Sequence, residues 1–239
     1  MPVHLLGDDL SFPPPELATP EGVVAVGDDL RPERLLAAYS QGIFPWPVRG
    51  FPLLWFCPNP RFVLPLDEVR LGRSIRRALR RSSLSVRFDT AFDEVIDRCA
   101  HAPRPGQEGT WITPELRNAF VRLHQLGFAH SIEAWQGDSL VGGLYGIALG
   151  TMFFGESMFA RTPDASKVAF VTLLAQLRLW GYKVVDCQVE TEHLARFGAI
   201  EWKRRRFLEE VRLAIKEPTR KGPWATTLGC NEALEALGG

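Results

Sequence analysis

Residues 162–189 read TPDASKVAFVTLLAQLRLWGYKVVDCQV, an apolar helix pattern followed at once by a strand pattern. Thr162-Pro163-Asp164 is typical of a helix start, and Gly181 marks the expected helix end. The valine-rich run from Lys183 to Val189 predicts a strand. A buried helix that leads directly into a strand indicates a sheet with helices packed on it.

Three further strand patterns precede this helix. They cover residues 131–135, 140–148 and 152–156. Gly137-Asp138 and Leu149-Gly150 separate them and are typical of hairpin turns. The order of antiparallel meander, helix, strand and helix predicts an α+β fold with a mixed sheet.

Three helices are predicted earlier in the chain. One covers Pro32 to Ser40, with proline in its first turn. A second covers Leu71 to Arg81 and has apolar residues on one side and arginines on the other. A third runs from Pro114 to Leu126, with Thr113 as its N-cap.

Local composition and periodicity divide the chain into three parts. Residues 1–62 are rich in proline, glycine and aromatic residues, which prevents long helices and predicts a small irregular N-terminal domain. Residues 63–216 hold the long periodic elements of the α+β domain. Residues 217–239 are expected to form a loosely held tail.

The composition narrows the functional class. The chain has 239 residues, 46% apolar and 23% charged, as ordinary globular proteins do. Its 28 basic residues balance 28 acidic ones, which excludes a globally basic nucleic-acid binder but allows a local basic patch. The start of the chain lacks a secretory-signal pattern and no segment is apolar enough to span a membrane, so we expect a cytoplasmic protein without a membrane partner. Cysteines and histidines are scattered, so no metal is expected.

Asp186 and Gln188 are unusual in the predicted final strand. Period-two geometry places both on one face with Val184, and they lie roughly 6.5–7 Å apart along the strand. A carboxylate in a strand that is covered on both faces is costly unless it has a partner. The pair is either a site that serves one bound group or a satisfied polar pair at the end of the strand, and the residues alone favour neither.

Glu156 lies within an aromatic run from Met152 to Phe159. The neighbouring Gly155 allows a backbone or a ligand to approach closely. Taken alone, this carboxylate is more typical of a helix cap or of a partner for an arginine than of a catalytic group.

Positive charge is concentrated in two segments. A helix face that carries only arginines favours an anion such as phosphate, because the guanidinium fork matches phosphate oxygens. The alternative is surface pairing with acids such as Asp67 or Glu68. The first segment contains Arg70, Arg73, Arg76, Arg77, Arg80 and Arg81, and the second is Lys203-Arg204-Arg205-Arg206.

The tryptophans are expected in the core, and a subset is available for an apolar specificity pocket that periodicity does not identify. They include Trp46, Trp55, Trp111 and Trp135.

Several short segments, taken in order, are similar to those of one known family. They are Gly42-Ile43-Phe44-Pro45-Trp46, Gly109-Thr110-Trp111-Ile112-Thr113, Ala129-His130-Ser131-Ile132-Glu133, Gly142-Gly143-Leu144-Tyr145-Gly146, Phe154-Gly155-Glu156-Ser157-Met158-Phe159, Ala165-Ser166-Lys167, Asp186-Cys187-Gln188 and His193-Leu194-Ala195-Arg196-Phe197-Gly198-Ala199. On these segments the chain resembles the bacterial leucyl/phenylalanyl-tRNA–protein transferases.

The resemblance implies a small N-terminal domain joined to a GNAT-like acyltransferase domain. It implies transfer of leucine or phenylalanine, and less readily methionine, from its tRNA to the N-terminal arginine or lysine of a protein, which creates an N-terminal degradation signal. No cofactor is expected, because the aminoacyl ester is already activated. Neither DNA nor a second copy of the chain is expected as a partner.

The resemblance also implies roles for individual residues. Asp186 and Gln188 are expected at the reaction centre with Glu156 beside them, and Asp186 either takes the proton or only orients Gln188. The two carboxylates are expected to complement a cationic acceptor. The pocket for the donor side chain is expected to contain Trp111, Phe153, Met158 and Trp46. The tRNA phosphates are expected on Arg73, Arg76, Arg77, Arg80, Lys203, Arg204 and Arg205.

Three positions depart from the family pattern, and two other functions are considered. Cys57 stands where serine is usual, Asp164 where asparagine is common, and Arg206 where an acidic residue is usual. A CoA-dependent N-acetyltransferase needs a glycine-rich pyrophosphate loop, which residues 158–166 lack. A non-catalytic RNA-binding protein has no use for the polar pair in the final strand.

Overall fold

Two β-sheets and the helices packed on them make up the fold. The structure, a computed structural model, describes residues 4–27, 29–48, 50–103 and 110–238. Gly109, which belongs to one of the segments quoted above, and Met1 to Val3 lie outside the described residues. The strands are β1 (His4–Leu5), β2 (Val23–Val26), β3 (Phe44–Trp46), β4 (Leu54–Phe56), β5 (Arg61–Pro65), β6 (Ser85–Phe88), β7 (Ala129–Gln136), β8 (Ser139–Leu149), β9 (Met152–Ala160), β10 (Val184–Gln188) and β11 (Ile200–Trp202). The α-helices are α1 (Pro32–Tyr39), α2 (Arg73–Arg80), α3 (Phe92–Ala100), α4 (Pro114–Gln125), α5 (Ala165–Leu179), α6 (Glu192–Ala195), α7 (Arg204–Ala214) and α8 (Cys230–Ala236).

The larger sheet contains seven strands in the order β11-β5-β10-β9-β8-β7-β6. Strands β7, β8 and β9 form the predicted antiparallel meander, and each is longer than its sequence pattern suggested. The chain reverses at Gly137 (φ 59°) and Gly150 (φ 55°), where the left-handed backbone favours glycine. Strand β10 pairs in parallel with β9 and antiparallel with β5. The predicted α+β fold with a mixed sheet is confirmed.

Helix α5 connects the parallel strands β9 and β10. It packs on β7 and β8, while α8 and α2 lie against it, so most of its residues are buried as predicted. Neighbouring residues of β10 face the two sides of the sheet. Val184 joins the core that is shared with the N-terminal region, and Val185 joins the core beneath α5. The whole of β10 is buried.

The N-terminal region contains a small four-stranded sheet, in the order β1-β2-β4-β3, where only irregular structure was expected. Leu35, Tyr39 and Trp55 from this region are buried in the same core as Phe154 of the larger sheet. The predicted division after residue 62 falls inside β5, which lies between β11 and β10. Strand β5 is buried on both faces, so its sequence lacks the alternation that identifies a strand.

The three helices predicted upstream of the meander are present as α1, α2 and α4. Helix α2 turns Ile75 and Leu79 towards the core and its arginines away from it. The Thr113 hydroxyl accepts a hydrogen bond from the Leu116 N–H at 3.2 Å, which confirms the predicted N-cap of α4.

Residues 217–238 are attached to the rest of the fold at several points, so the expectation of a loosely held tail is wrong. Trp224 is buried, and its ring stacks on that of His130 with 3.5 Å between centroids. Its backbone N–H donates to Asp89 Oδ2 at 2.6 Å. Helix α8, with Leu234 buried, packs against α5 and α2. The segment lacks long periodic patterns, so the sequence did not indicate these contacts.

No helix within the described ranges combines the length and the apolar character that a membrane crossing requires. Over the same residues, no three histidine, cysteine or acidic side chains converge as metal ligands do. The cysteines are free thiols, and Cys57, where the chain departs from the family pattern, is buried.

Candidate active site

A cavity of about 630 Å³ opens where strands β9 and β10 part. Asp186, Gln188 and Glu156, the residues predicted to be catalytic, all contribute to its lining. The four residues predicted for the donor pocket also line it, and they are Trp46, Trp111, Phe153 and Met158. The fold therefore brings these residues together from β3, from the loop before α4 and from strands β9 and β10.

One wall of the cavity is aromatic. The rings of Trp46 and Trp111 lie with their centroids 6.4 Å apart, and Trp46 also contacts Phe44 and Phe56. Leucine, phenylalanine and valine side chains continue this lining, namely Leu144, Phe153, Phe170 and Val185. A wall of this composition suits an apolar side chain.

The Asp186 carboxylate forms a buried ion pair with Arg61. Arg61 Nε donates to Oδ1 at 2.8 Å and Arg61 Nη2 donates to Oδ2 at 2.6 Å, and both side chains are fully buried. The guanidinium group lies between the rings of Phe44 and Phe207, at 4.6 and 4.4 Å from their centroids. Sequence reasoning missed Arg61, although an arginine that opens the apolar run RFVLP is itself a signal of a buried partner.

Gln188 occupies the point at which β10 leaves the sheet. Its φ is 59°, a left-handed backbone conformation that is rare for residues other than glycine and that occurs at functional sites. Its backbone N–H donates to Asp186 Oδ1 at 3.0 Å, and its Nε2 donates to Glu156 Oε1 at 2.9 Å. The Arg61–Asp186 pair therefore anchors Gln188, and the Gln188 side chain in turn reaches Glu156.

Glu156 is held in the cavity by two hydrogen bonds. The Tyr39 hydroxyl donates to Oε1 at 2.7 Å, and Gln188 donates to the same oxygen. Burial raises the pKa of Glu156 to about 8, against the lowering effect of the Tyr39 hydrogen bond, and the charge of Asp186 adds to the rise. Within the described residues Glu156 neither caps a helix nor pairs with an arginine, so the structural alternatives considered for it are not observed.

His193 also lines the cavity, from helix α6. Its Nε2 is buried and has no hydrogen-bond partner in the part of the chain that the structure describes. Burial lowers the pKa of His193, and the charges of Lys167 and Arg196 lower it further. The sequence placed His193 in a family-like segment but did not identify it, or Tyr39, as a residue of the site.

The predicted arginine face on α2 is present, away from the cavity. Arg73, Arg77 and Arg80 are exposed, and over the described ranges no α2 arginine forms an ion pair, which removes the alternative of pairing with Asp67 or Glu68. Arg76 differs from the others, because its Nε donates to the backbone carbonyl of Leu71 at 2.9 Å.

The arginines of the second basic segment each make a different contact. Arg204 Nη1 donates to the Pro15 carbonyl at 2.7 Å, which joins α7 to the N-terminal region. Arg205 pairs with Glu209 on its own helix at 3.1 Å. Arg206 lies 4.0 Å from the centre of the Trp202 ring. Lys203, which precedes α7, is exposed.

Comparisons with known proteins show the family of this chain. A family model described as leucyl/phenylalanyl-tRNA protein transferase matches residues 63–212, and a model of the N-terminal domain of that family matches residues 28–59. The leucyl/phenylalanyl-tRNA–protein transferase of Myxococcus xanthus is 61% identical over 226 residues, 94% of this chain and 97% of the relative. The protein of the same name from Stutzerimonas stutzeri is 54% identical over 214 residues, 89% of this chain and 94% of the relative.

A conserved protein of unknown function from Staphylococcus epidermidis has a solved structure that superposes with a TM-score of 0.41 and 8% identity, over 76% of this chain and 68% of that one. The family model covers more than half of the chain, and the matches to the relatives cover nearly all of it. The chain therefore belongs to the leucyl/phenylalanyl-tRNA protein transferase family.

Proposed function

We propose that this protein transfers leucine or phenylalanine, and less readily methionine, from aminoacyl-tRNA to the N-terminal arginine or lysine of acceptor proteins, which creates an N-terminal degradation signal. The observation that carries the proposal is the single cavity in which an aromatic wall adjoins Gln188 and Glu156. The names of the relatives, with their identity over nearly the full length, support the same reaction.

The aromatic and aliphatic lining holds the side chain of the donor amino acid. Trp46, Trp111, Phe153 and Met158 form part of this lining, and no charged group is among them. Burial of a leucine or phenylalanine side chain there contributes roughly 1.5–3 kcal/mol to donor binding.

The chemical step is the attack of the acceptor's α-amino nitrogen on the ester carbonyl carbon of the donor. The amide bond forms, the bond from that carbon to the ribose oxygen breaks, and the proton from the amine passes through Glu156 to the departing oxygen. The pKa of Glu156 is about 8, which is close to the ordinary value of an α-amino group, so proton transfer between them is nearly balanced.

Gln188 orients the incoming amine. Its Nε2 is committed to Glu156, which leaves its Oε1 to accept a hydrogen bond from the amine. Asp186 is a positioning residue in this proposal, because Arg61 binds both of its oxygens and the Gln188 backbone N–H binds one of them. Since Arg61 balances the charge of Asp186, Glu156 is the carboxylate of this pair that is left to complement a cationic acceptor.

The exposed arginines of α2 bind phosphates of the donor tRNA. Unpaired guanidinium groups on one helix face make contacts that position a nucleic acid without reading its sequence. The partly buried Arg204 instead holds the N-terminal region, so in the second basic segment Lys203 and Arg205 are the residues proposed for tRNA contacts.

A GNAT-like relationship for residues 63–216 and a monomeric state are part of the same proposal. Support for the relationship comes from the order of the antiparallel meander, the crossover helix α5 and the parallel strand β10.

The first test is a transfer assay with radiolabelled leucyl-tRNA and a peptide that starts with arginine. A peptide that starts with alanine, and acetyl-CoA as the alternative donor, run in parallel. We expect leucyl-tRNA to label the arginine peptide. We expect no label on the alanine peptide and none from acetyl-CoA. Label from acetyl-CoA without label from leucyl-tRNA would replace this proposal with an N-acetyltransferase.

The role of Glu156 is tested by Glu156→Gln in the same assay. The amide keeps an oxygen for the Tyr39 and Gln188 hydrogen bonds but cannot take a proton, so we expect the transfer rate to fall by about 10²–10⁴-fold. Binding of the tRNA, measured separately, should stay within twofold of wild type. An unchanged transfer rate rules out Glu156 as the proton acceptor.

A further inference from the structure

The arginine helix α2 is supported by the C-terminal segment, residues 217–238. Helix α2 packs on α8, which belongs to this segment, and on α5. Ile75 and Leu79 of α2 lie in the same buried core as Leu234 of α8. The position of the arginine face therefore depends on where α8 is held.

The C-terminal segment is fastened at Asp89, which directly follows β6 and whose side chain is 1% exposed. Asp89 Oδ2 accepts a hydrogen bond from the Trp224 backbone N–H at 2.6 Å, and His130 Nδ1 lies 2.8 Å from the same oxygen. Asp89 Oδ1 accepts from the Ser131 backbone N–H at 2.9 Å. Hydrogen bonds to a carboxylate are roughly twice as strong as those between neutral groups. Because His130 and Ser131 belong to β7, this carboxylate ties the segment to the larger sheet.

The same segment contacts the wall of the candidate active site. The centroid of the Trp224 ring lies 6.0 Å from that of Phe153, which lines the cavity. Further along the segment, the Thr226 hydroxyl donates to Gln176 Oε1 of α5 at 2.9 Å. Helix α5 itself borders the cavity through Phe170. The segment thus extends from the cavity wall to the arginine helix.

We propose that the C-terminal segment is a brace that fixes the arginine face of α2 relative to the cavity, with Asp89 as the positioning residue that holds the brace in place. The inference rests on the proposed function, in which one donor tRNA contacts both α2 and the cavity. Asp89 contacts no substrate in this scheme, because it acts through Trp224 and α8.

A donor that binds at two places gains affinity when the distance between those places is fixed. Once the tRNA phosphates are bound on α2, the aminoacyl end meets the cavity at an effective concentration that depends on how rigidly α2 is held. A loosened brace lowers this effective concentration and changes neither binding surface. The loss therefore raises KM for whole leucyl-tRNA but not for a donor that lacks phosphates.

The test compares leucyl-tRNA with leucyl-adenosine as donors for Asp89→Asn and for wild type, with one arginine peptide as the acceptor. Leucyl-adenosine carries the same ester but no phosphate for α2 to bind. The carboxylate offers two oxygens and asparagine only one, so the variant cannot keep all three contacts of Asp89. We expect KM for leucyl-tRNA to rise about tenfold with kcat unchanged, and both constants for leucyl-adenosine to stay those of wild type.

Asp97→Asn is the matched control. It makes the same chemical change at a carboxylate of α3 that pairs with Arg117 of α4. The constants for both donors should remain those of wild type.

Leu237→Ala loosens the other end of the brace. Leu237 follows α8 and is buried in the core that it shares with α2. This variant should also raise KM for leucyl-tRNA alone. Urea unfolding checks that each variant folds, and Leu237→Ala decides the question if Asp89→Asn does not fold.

Two results overturn the inference and leave the proposed function intact. An unchanged KM for leucyl-tRNA in the folded variants shows that the segment does not position α2. An equal loss of rate with the two donors shows a general effect on the fold instead of a loss of positioning. Transfer from neither donor by the wild-type enzyme overturns the proposed function itself.

Discussion

Arg61 changes the interpretation of the polar pair in β10. A carboxylate whose two oxygens both accept from one guanidinium group is fixed in orientation, and the pair lies in full burial between two aromatic rings. Buried ion pairs are costly to break, since removal of one partner leaves an uncompensated charge. The pair thus locks the backbone that presents Gln188.

The coupling between Arg61 and Asp186 can be measured. We expect Arg61→Met to lower the free energy of unfolding by roughly 3–5 kcal/mol, because the charge of Asp186 is left buried and alone. Adding Asp186→Asn removes that charge and keeps an oxygen for the Gln188 N–H, so the double variant should be more stable than Arg61→Met. Urea unfolding of the two single variants and the double variant gives the coupling energy. Additive losses would contradict a coupled pair.

Tyr39 tunes Glu156, and the sign of its effect can be predicted. The proposed reaction needs Glu156 ionised, so the transfer rate should rise with pH until about 8 and then level off. The Tyr39 hydrogen bond lowers the pKa of Glu156, so Tyr39→Phe should raise that pKa and displace the rise in rate to higher pH. The measurement is a pH–rate profile with an arginine peptide.

Tyr182→Phe provides the matched control for this profile. Tyr182 is also buried, but its hydroxyl has no hydrogen-bond partner among the described residues and the residue lies outside the cavity. Its profile should coincide with that of wild type. A Tyr39→Phe profile that also coincides would show that Glu156 does not control the rate.

At the scale of elements, α2 illustrates what periodic patterns predict well. Ile75 and Leu79 are buried and Arg73, Arg77 and Arg80 are exposed, as the spacing of apolar residues predicted. The bounds also agree closely, since the pattern ran from 71 to 81 and the helix from Arg73 to Arg80. Such a face is specified locally, because side chains three and four residues apart share one side of a helix.

The arginine face yields a prediction about salt dependence. We expect Arg77→Ala with Arg80→Ala to weaken tRNA binding and to reduce the slope of log K against log salt by roughly 1.4–1.8, for two lost phosphate contacts. Arg76 is left intact, because its hydrogen bond to the Leu71 carbonyl gives it a structural role. The measurement is a binding titration with leucine tRNA across a range of KCl concentrations.

Arg98→Ala with Arg122→Ala is the charge-matched control. Arg98 lies on α3 and Arg122 lies on α4, so replacing both removes the same formal charge from other surfaces. Their slope should stay that of wild type. An unchanged slope in the α2 variant would remove α2 from the proposed docking surface.

At the scale of the whole molecule, the C-terminal segment ties several elements together. Besides the contacts of Trp224, the Gly222 N–H donates to the Gly127 carbonyl at 3.0 Å, and the Gly150 N–H donates to the Thr219 hydroxyl at 2.9 Å. Arg76 Nη1 reaches the Gly238 carbonyl at 3.4 Å, so the segment also touches the arginine helix. Its loss should weaken the fold rather than remove a free end.

The cost of losing the central contact of this segment is testable. We expect Trp224→Ala to lower the free energy of unfolding by roughly 3–5 kcal/mol, because a large buried ring and its stacking on His130 are lost. Phe51→Ala, at a phenylalanine that is 67% exposed, is the control and should change stability by at most about 0.5 kcal/mol. Urea unfolding compares the two. Equal small effects would restore the expectation of a loose tail.

Much of the fold was predictable because it is encoded in neighbouring residues. The meander, α5 and β10 follow from spacing and turn residues within a stretch of about 60 positions, and the Thr113 cap follows from a three-residue relationship. Strands β5, β6 and β11 were not predicted, because they are short and because β5 is buried on both faces. The N-terminal sheet was not predicted because its strands are also short.

In the candidate site, likewise, the local sequence predicted some residues but not their distant partners. Asp186, Gln188 and Glu156 stand out in the sequence because polar groups in apolar strands need partners. The partners themselves come from far along the chain. Arg61 is 125 positions from Asp186, and Tyr39 is 117 positions from Glu156. No local pattern relates such residues, so their pairing and the raised pKa of Glu156 arise only when the sheet has assembled and excluded water.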